Sequence, residues 1–143
     1  MKEVNVIYWS STGNTQAMAE AVGAGVEEAG GKANVMEVSA ADVSILKDAE
    51  SFALGASAMG DEELDAEMDD FVTAVEGICA GKTVGLFGSY DWGDGEWMRK
   101  WVDRMTAAGA TVVNGEGLIC QETPDDAMIE ECKNLGKVLA ANA

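Results

Sequence analysis

Apolar residues fall along this chain in two alternating rhythms. Short, nearly continuous apolar runs at residues 4–9, 33–38, 51–56 and 83–88, with a fifth at 111–113 continuing in 118–120, predict strands. Runs of that kind suit strands covered by helices on both faces. Between them the apolar residues return every three or four positions, the spacing of one helix face. Met18, Val22, Val26 and Ala29 predict a helix over 15–29 that Gly30-Gly31 ends. Met68, Phe71, Val72 and Val75 predict one over 65–76, and Trp97, Trp101, Val102 and Met105 a third over 96–108, stopping at Gly109. A last helix opens after Thr123-Pro124 and runs through Met128, Cys132, Leu135 and Val138-Leu139. No linker, repeat or low-complexity tract interrupts the pattern, so a single domain over residues 1–143 is expected.

Strands alternating with helices predict βαβ units and a parallel sheet. With right-handed crossovers, five strands leave a doubly wound α/β sheet of order 2-1-3-4-5, or a close variant. Such sheets take ligands beyond the carboxyl ends of their strands, where the strand order reverses. Three loops leave carboxyl ends there, at residues 10–15, 57–62 and 89–96. The first, Ser10-Ser11-Thr12-Gly13-Asn14-Thr15, runs from a strand straight into a helix N-terminus. Its backbone N–H groups and hydroxyls, added to the positive partial charge of the helix end, make a place for a phosphate. It holds no Lys or Arg, unlike the Gly-Lys-Ser/Thr type of nucleotide loop. Neutral donors suit a retained phosphate ester better than phosphoryl transfer.

Composition narrows the classes further. The net charge of −17, from 26 acids against 9 bases, excludes nucleic acid as a ligand and opposes anionic membranes. It favours basic protein partners steered over long range. Residues 48–81 hold ten acids and no base, and seven of those acids lie between Asp61 and Asp70. That cluster reads either as a solvated surface kept for solubility or as part of the site it adjoins. The absence of histidine removes Ser-His-Asp and Cys-His catalysis. Cys79, Cys120 and Cys132 form no Cys-x-x-Cys pair and no zinc site, and are expected to be free thiols in a reducing compartment. No apolar run approaches the ~20 residues that cross a bilayer, and the N-terminus shows no signal-peptide pattern. A cytoplasmic monomer is therefore expected.

The other two loops carry the unusual chemistry. The second reads Ser57-Ala58-Met59-Gly60-Asp61-Glu62-Glu63, with a polarizable side chain beside a permissive peptide. The third reads Ser89-Tyr90-Asp91-Trp92-Gly93-Asp94-Gly95-Glu96. A large aromatic in a Gly/Asp turn has no periodic element to pack into, so for Trp92 stacking on a flat ligand is favoured over loop packing. Tyr90 stands evenly between the two. Trp97 and Trp101, four apart on a helix, read as core.

With these three loops in this order, the chain resembles the short-chain flavodoxins of anaerobic bacteria over its whole length. Ser10-x-Thr12-Gly13-Asn14-Thr15 is similar to that family's FMN-phosphate loop, Met59-Gly60-Asp61-Glu62 to its second flavin loop, and Ser89-Tyr90-x-Trp92-Gly93-Asp94-Gly95 to its third. The fifth strand lacks the insertion that marks long-chain members. The 2-1-3-4-5 order with FMN at the reversal point is itself defined on flavodoxin, so that placement comes with the resemblance. The resemblance implies a low-potential electron carrier, not an enzyme, which uses noncovalent FMN to shuttle one electron between redox enzymes. It implies phosphate binding by the side chains of Ser10, Thr12, Asn14 and Thr15 and by the N–H groups of Ser11 and Gly13. Ser57 and Ser89 would close around the phosphate and ribityl end, and Met59 and Trp92 would flank the isoalloxazine. The Gly60 carbonyl would turn toward N5, Glu62 would accept from N3, and the backbone around Asp91 would face the pyrimidine edge. Ala58, Asp61, Tyr90, Gly93 and Gly95 complete the implied cofactor-binding set.

Electrostatics argue the same way from below. A carboxylate ~6 Å from a reduced, anionic flavin, at an effective dielectric of ~40, costs ~1.4 kcal/mol, or ~60 mV for one electron. Asp61, Glu62, Glu63, Asp65, Asp91, Asp94 and Glu96 all lie in or beside the flavin loops and share that sign. The acidic edge would thus tune the flavin and receive the basic faces of partner enzymes. Two positions depart from the family: Asp91 and Ser11 stand where glycine is usual. Asp tolerates the left-handed region, so the third loop is expected to keep its shape. The alternative function is an FMN-dependent NAD(P)H/quinone reductase on the same fold, for which this chain offers no basic group toward a dinucleotide phosphate. A signalling receiver domain would need an acidic pair and a Lys where Trp9-Ser10 and Gln121-Glu122 stand.

Overall fold

The computed structural model describes residues 3–143 apart from 12, 60–62 and 92. Its elements, in chain order, are β1 (Glu3–Trp9), α1 (Asn14–Glu28), β2 (Lys32–Glu37), β3 (Ser51–Ala56), α2 (Ala66–Glu76), β4 (Thr83–Tyr90), α3 (Glu96–Ala107), β5 (Thr111–Val112), β6 (Leu118–Gln121) and α4 (Asp126–Ala141). Every strand pairing is parallel. The sheet runs β2-β1-β3-β4-β5, with β6 also on β4, and Ile7 pairs with Leu54, Leu54 with Leu86 and Ser89 with Cys120. The doubly wound order read from the sequence is the order found.

Helices cover both faces, which explains the unbroken apolar runs of the central strands. Ile7, Phe52, Leu54, Val84 and Leu86 bury one face of the sheet with Met68, Val72, Val75, Trp97, Trp101 and Met105 of α2 and α3. On the other face Val4, Val6, Ala53 and Phe87 meet Met18, Val22 and Val26 of α1 and Cys132, Leu135 and Leu139 of α4. Trp97 and Trp101 are therefore core, as their spacing implied.

Local chemistry sets the helix ends. Gly30 takes φ 91° after α1, its N–H bonds the Glu27 carbonyl and that of Gly31 bonds Val26, closing the last turn. The Asp65 carboxylate accepts from the N–H groups of Glu67 and Met68 at the start of α2, and Asp125 accepts from Met128 at the start of α4. Helices α1 and α4 touch backbone to backbone: a Cβ on Gly25 would collide with the Lys133 carbonyl, and one on Gly136 with that of Val22.

Three features differ from the sequence reading. Strand β4 runs on to Tyr90, so Ser89 and Tyr90 belong to the strand end and not to the loop. They stay extended because β6 lies alongside, with Ser89 opposite Cys120 and Tyr90 opposite Gln121. The fifth strand is broken: Val113–Gly115 forms a short 3-10 turn, with Asn114 at φ 61° and Gly115 at φ 72°, and β5 and β6 pair with separate stretches of β4. Two left-handed residues cannot continue a strand. Two further 3-10 turns, Val38–Ala40 and Val43–Leu46, lead from β2 to β3.

Candidate functional site

Three secondary elements converge on one hydroxyl. Thr15, the second residue of α1, is fully buried, and its Oγ1 lies 2.7 Å from Ser57 Oγ and 2.9 Å from Ser89 Oγ. The two serine oxygens are 3.4 Å apart. The Ser89 N–H also donates to Thr15 Oγ1 at 3.2 Å. Ser57 follows β3 and Ser89 ends the buried part of β4, so the triangle ties α1 to both strands. Around it the Ser57 N–H donates to the Trp9 carbonyl (3.3 Å) and the Ala58 N–H to the Ser89 carbonyl (3.0 Å). Three hydroxyls bring three protons, and the two short contacts take up two. The third faces the longest contact, 3.4 Å between Ser57 and Ser89, which is the weakest of the three.

The turn into α1 supplies the matching donors. Gly13 is the N-cap at φ 95°, and among the described residues no side-chain cap bond closes the helix. Ser10 Oγ accepts from the Gly13 N–H at 3.0 Å, folding the turn back on itself. The helical ladder begins with Ala17 bonding the Gly13 carbonyl at 3.0 Å, so the N–H groups of Asn14, Thr15 and Gln16 precede it. A Cβ on Gly13 would meet nothing within 4 Å, so what requires glycine there is the left-handed backbone. Hydroxyls and backbone N–H groups at a positive helix end, with no cation in the turn, fit a phosphate ester. The same donor set fits FMN by its phosphate end.

The second and third loops lie against this centre. The Met59 N–H donates to the Glu63 carbonyl (2.9 Å), closing the second loop, and the Met59 side chain is 40% exposed, available to a ligand face. Ala58 is half-buried and Ser11 exposed. The Tyr90 ring is half-buried and tilts against Trp97, with centroids 5.5 Å apart, so its side chain serves packing. Asp91 is exposed, and Gly93 and Gly95 both take φ 93°, Gly95 as the N-cap of α3. Thr12, Gly60, Asp61, Glu62 and Trp92 lie outside the described residues.

The charge around the loops is less one-sided than the sequence implied. Arg99 donates to both the carbonyl and the carboxylate of Asp94, at 2.9 Å each, and Lys100 pairs with Glu96 at 3.3 Å. Asp65 faces its own helix N-terminus. Of the five described acids in that set, Asp94 and Glu96 carry a cation, and Glu63 and Asp91 show no ion pair in this structure.

Sequence reasoning missed the residues that hold the third loop from behind. The Gln121 side-chain amide donates to the Asp91 carbonyl at 3.2 Å, and the Glu122 N–H donates to the Tyr90 carbonyl at 2.8 Å. Their only signal was position, at the carboxyl end of the last strand.

Comparison with known proteins agrees with this geometry. A protein-family model described as flavodoxin matches residues 6–136. The chain is 42% identical over 138 residues to the flavodoxin of Clostridium beijerinckii, spanning 96% of this chain and 99% of that one. It superposes on the solution structure of two-electron reduced Megasphaera elsdenii flavodoxin with a TM-score of 0.85 at 42% identity, covering 96% and 98% of the two chains. A flavodoxin from the domain Archaea gives a TM-score of 0.87 at 32% identity over 97% and 96%. These relatives do not favour the reductase alternative. The chain belongs to the flavodoxin family, and is an electron carrier that works with FMN and not an enzyme.

Proposed function

We propose that the chain acts as one domain that anchors FMN noncovalently by its phosphate at the N-terminus of α1. It passes single electrons at low potential between redox enzymes whose basic faces meet its acidic flavin edge. The observation that carries this reading is the Thr15–Ser57–Ser89 triangle, which joins the first turn of α1 to the ends of β3 and β4. When bound, FMN supplies the electron-accepting ring. The chain's own residues hold and orient it. Ser10, Ser11, Thr12, Gly13, Asn14 and Thr15 take the phosphate, and the Ser57 and Ser89 hydroxyls close the floor. Met59 is available to one ring face, and Trp92 is assigned to the other by its place in the third loop. With no cation in the phosphate turn, nothing there favours the reduced anion. Carboxylates at Asp91 and Glu63 oppose it, which lowers the potential.

Net charge of −17 supports a monomer in solution and docking by complementary basic surfaces, with an association rate that salt reduces. Purified protein is expected to be yellow with bound FMN and to turn blue on partial reduction. Titrating the apoprotein with FMN and riboflavin checks the anchor, because FMN should bind far more tightly. Equal affinity for the two would count against a phosphate anchor, and no affinity for either would end the reading.

A further inference from the structure

We propose that Gln121 is a positioning residue which, together with the strained backbone of Glu122, sets the third flavin loop and so the affinity for flavin. The proposal rests on the FMN reading above. Strand β6 ends at Gln121, directly opposite Tyr90 of β4. One residue later the chain takes φ 60° at Glu122, a left-handed conformation that a glutamate adopts only under strain. That turn brings the Glu122 N–H to the Tyr90 carbonyl at 2.8 Å, while the Gln121 amide reaches the Asp91 carbonyl at 3.2 Å. Two successive carbonyls of the segment leaving β4 are therefore held from the same side by two successive residues of β6 and its turn. Behind them the Cys120 thiol points at the Gln121 and Glu122 carbonyls, 3.8 Å from each.

The second of those carbonyls matters for the flavin. It is the carbonyl of Asp91, the first residue beyond the end of β4, so holding it holds the backbone where the third loop leaves the strand. The Gln121 amide thus sets the direction in which the chain leaves Asp91.

Gln121→Leu removes the donor, and Gln121→Glu keeps the length but sets an acceptor against a carbonyl. Leucine is expected to weaken FMN binding about threefold, the scale of one partly solvated hydrogen bond. It should speed amide hydrogen exchange over residues 90–95 of the apoprotein, with the apoprotein's urea midpoint unchanged. Glutamate should weaken binding more at pH 7. Below about pH 4.5, once its carboxyl is protonated and can donate, it should return toward the unaltered protein measured at the same pH. Unchanged exchange at 90–95 in both variants would overturn the proposal, as would an affinity loss that merely follows lost stability or shows no acid recovery. Failure of the unaltered protein to bind FMN would refute the flavin reading separately, since exchange in the apoprotein still decides whether Gln121 holds the loop.

Discussion

Thr15 makes three of the hydrogen bonds that hold the site together, all of them buried. Thr15→Val keeps the shape, strands the Ser89 N–H and takes the shorter partner from each serine hydroxyl, a loss of roughly 1–3 kcal/mol in stability. FMN affinity should fall more than tenfold, and Thr15→Ser should restore most of both; urea unfolding and flavin titration are the measurements. Asp91 acts on the cofactor by charge. Asp91→Asn and Asp91→Gly should each raise the lower flavin midpoint potential, by less than the ~60 mV of a carboxylate at ~6 Å because the group is exposed. A redox titration showing an unchanged or lower midpoint in both variants would count against that assignment. At this scale the sequence was legible in kind and not in geometry. Ser57 and Ser89 stood out as residues at strand ends, but their contact with a helical threonine exists only once the sheet has brought residues 15, 57 and 89 together. Tyr90, which the sequence left evenly between stacking on a ligand and packing, has its ring tilted against Trp97.

Helix α1, whose first turn presents the phosphate donors, is held in place by its crossing with α4. Gly25 and Gly136 let the two backbones touch, and an alanine at either would drive a methyl into a carbonyl. Gly136→Ala and Gly25→Ala should each cost about 1–3 kcal/mol in spite of alanine's better helix propensity, as read by thermal or urea unfolding. The elements themselves were readable because strands buried on both faces leave continuous apolar runs, and Gly30 and Gly109 mark ends whose φ values of 91° and 98° no other residue takes easily. The break in the fifth strand was not readable. Residues 111–113 and 118–120 carry strand-like apolar residues, and the turn between them depends on Asn114 in a left-handed conformation and on Gly117 lying beneath Met98. The extension of β4 through Tyr90 was hidden for the same reason, since it needs β6 beside it.

For the molecule as a whole, all three cysteines are buried free thiols, and each lies where ionisation is resisted. Burial, with Cys120 and Glu131 nearby, pushes the Cys132 thiol up to about 12, and burial also raises Cys79 and Cys120. A thiol kept neutral in the fold but ionising near 8.5 when unfolded adds stability that is fully present below about pH 8.5. That stability is lost as pH rises through the folded value, so unfolding free energy should decline between about pH 8.5 and about 12. Cys132→Ala should flatten the decline, and unfolding at stepped pH checks it. Among the described residues no helix is long and apolar enough to cross a membrane. The interrupted edge of the sheet also makes the protein adaptable as a part. Asn114, Gly115 and Glu116 are exposed, and β6 keeps its own four-residue register on β4 beyond them. Lengthening a surface loop costs only ~0.6 kcal/mol per doubling. A reporter, an electrode tether or a whole second domain spliced in after Asn114 should therefore leave flavin binding intact, giving a place to wire this carrier to something it was never selected to meet.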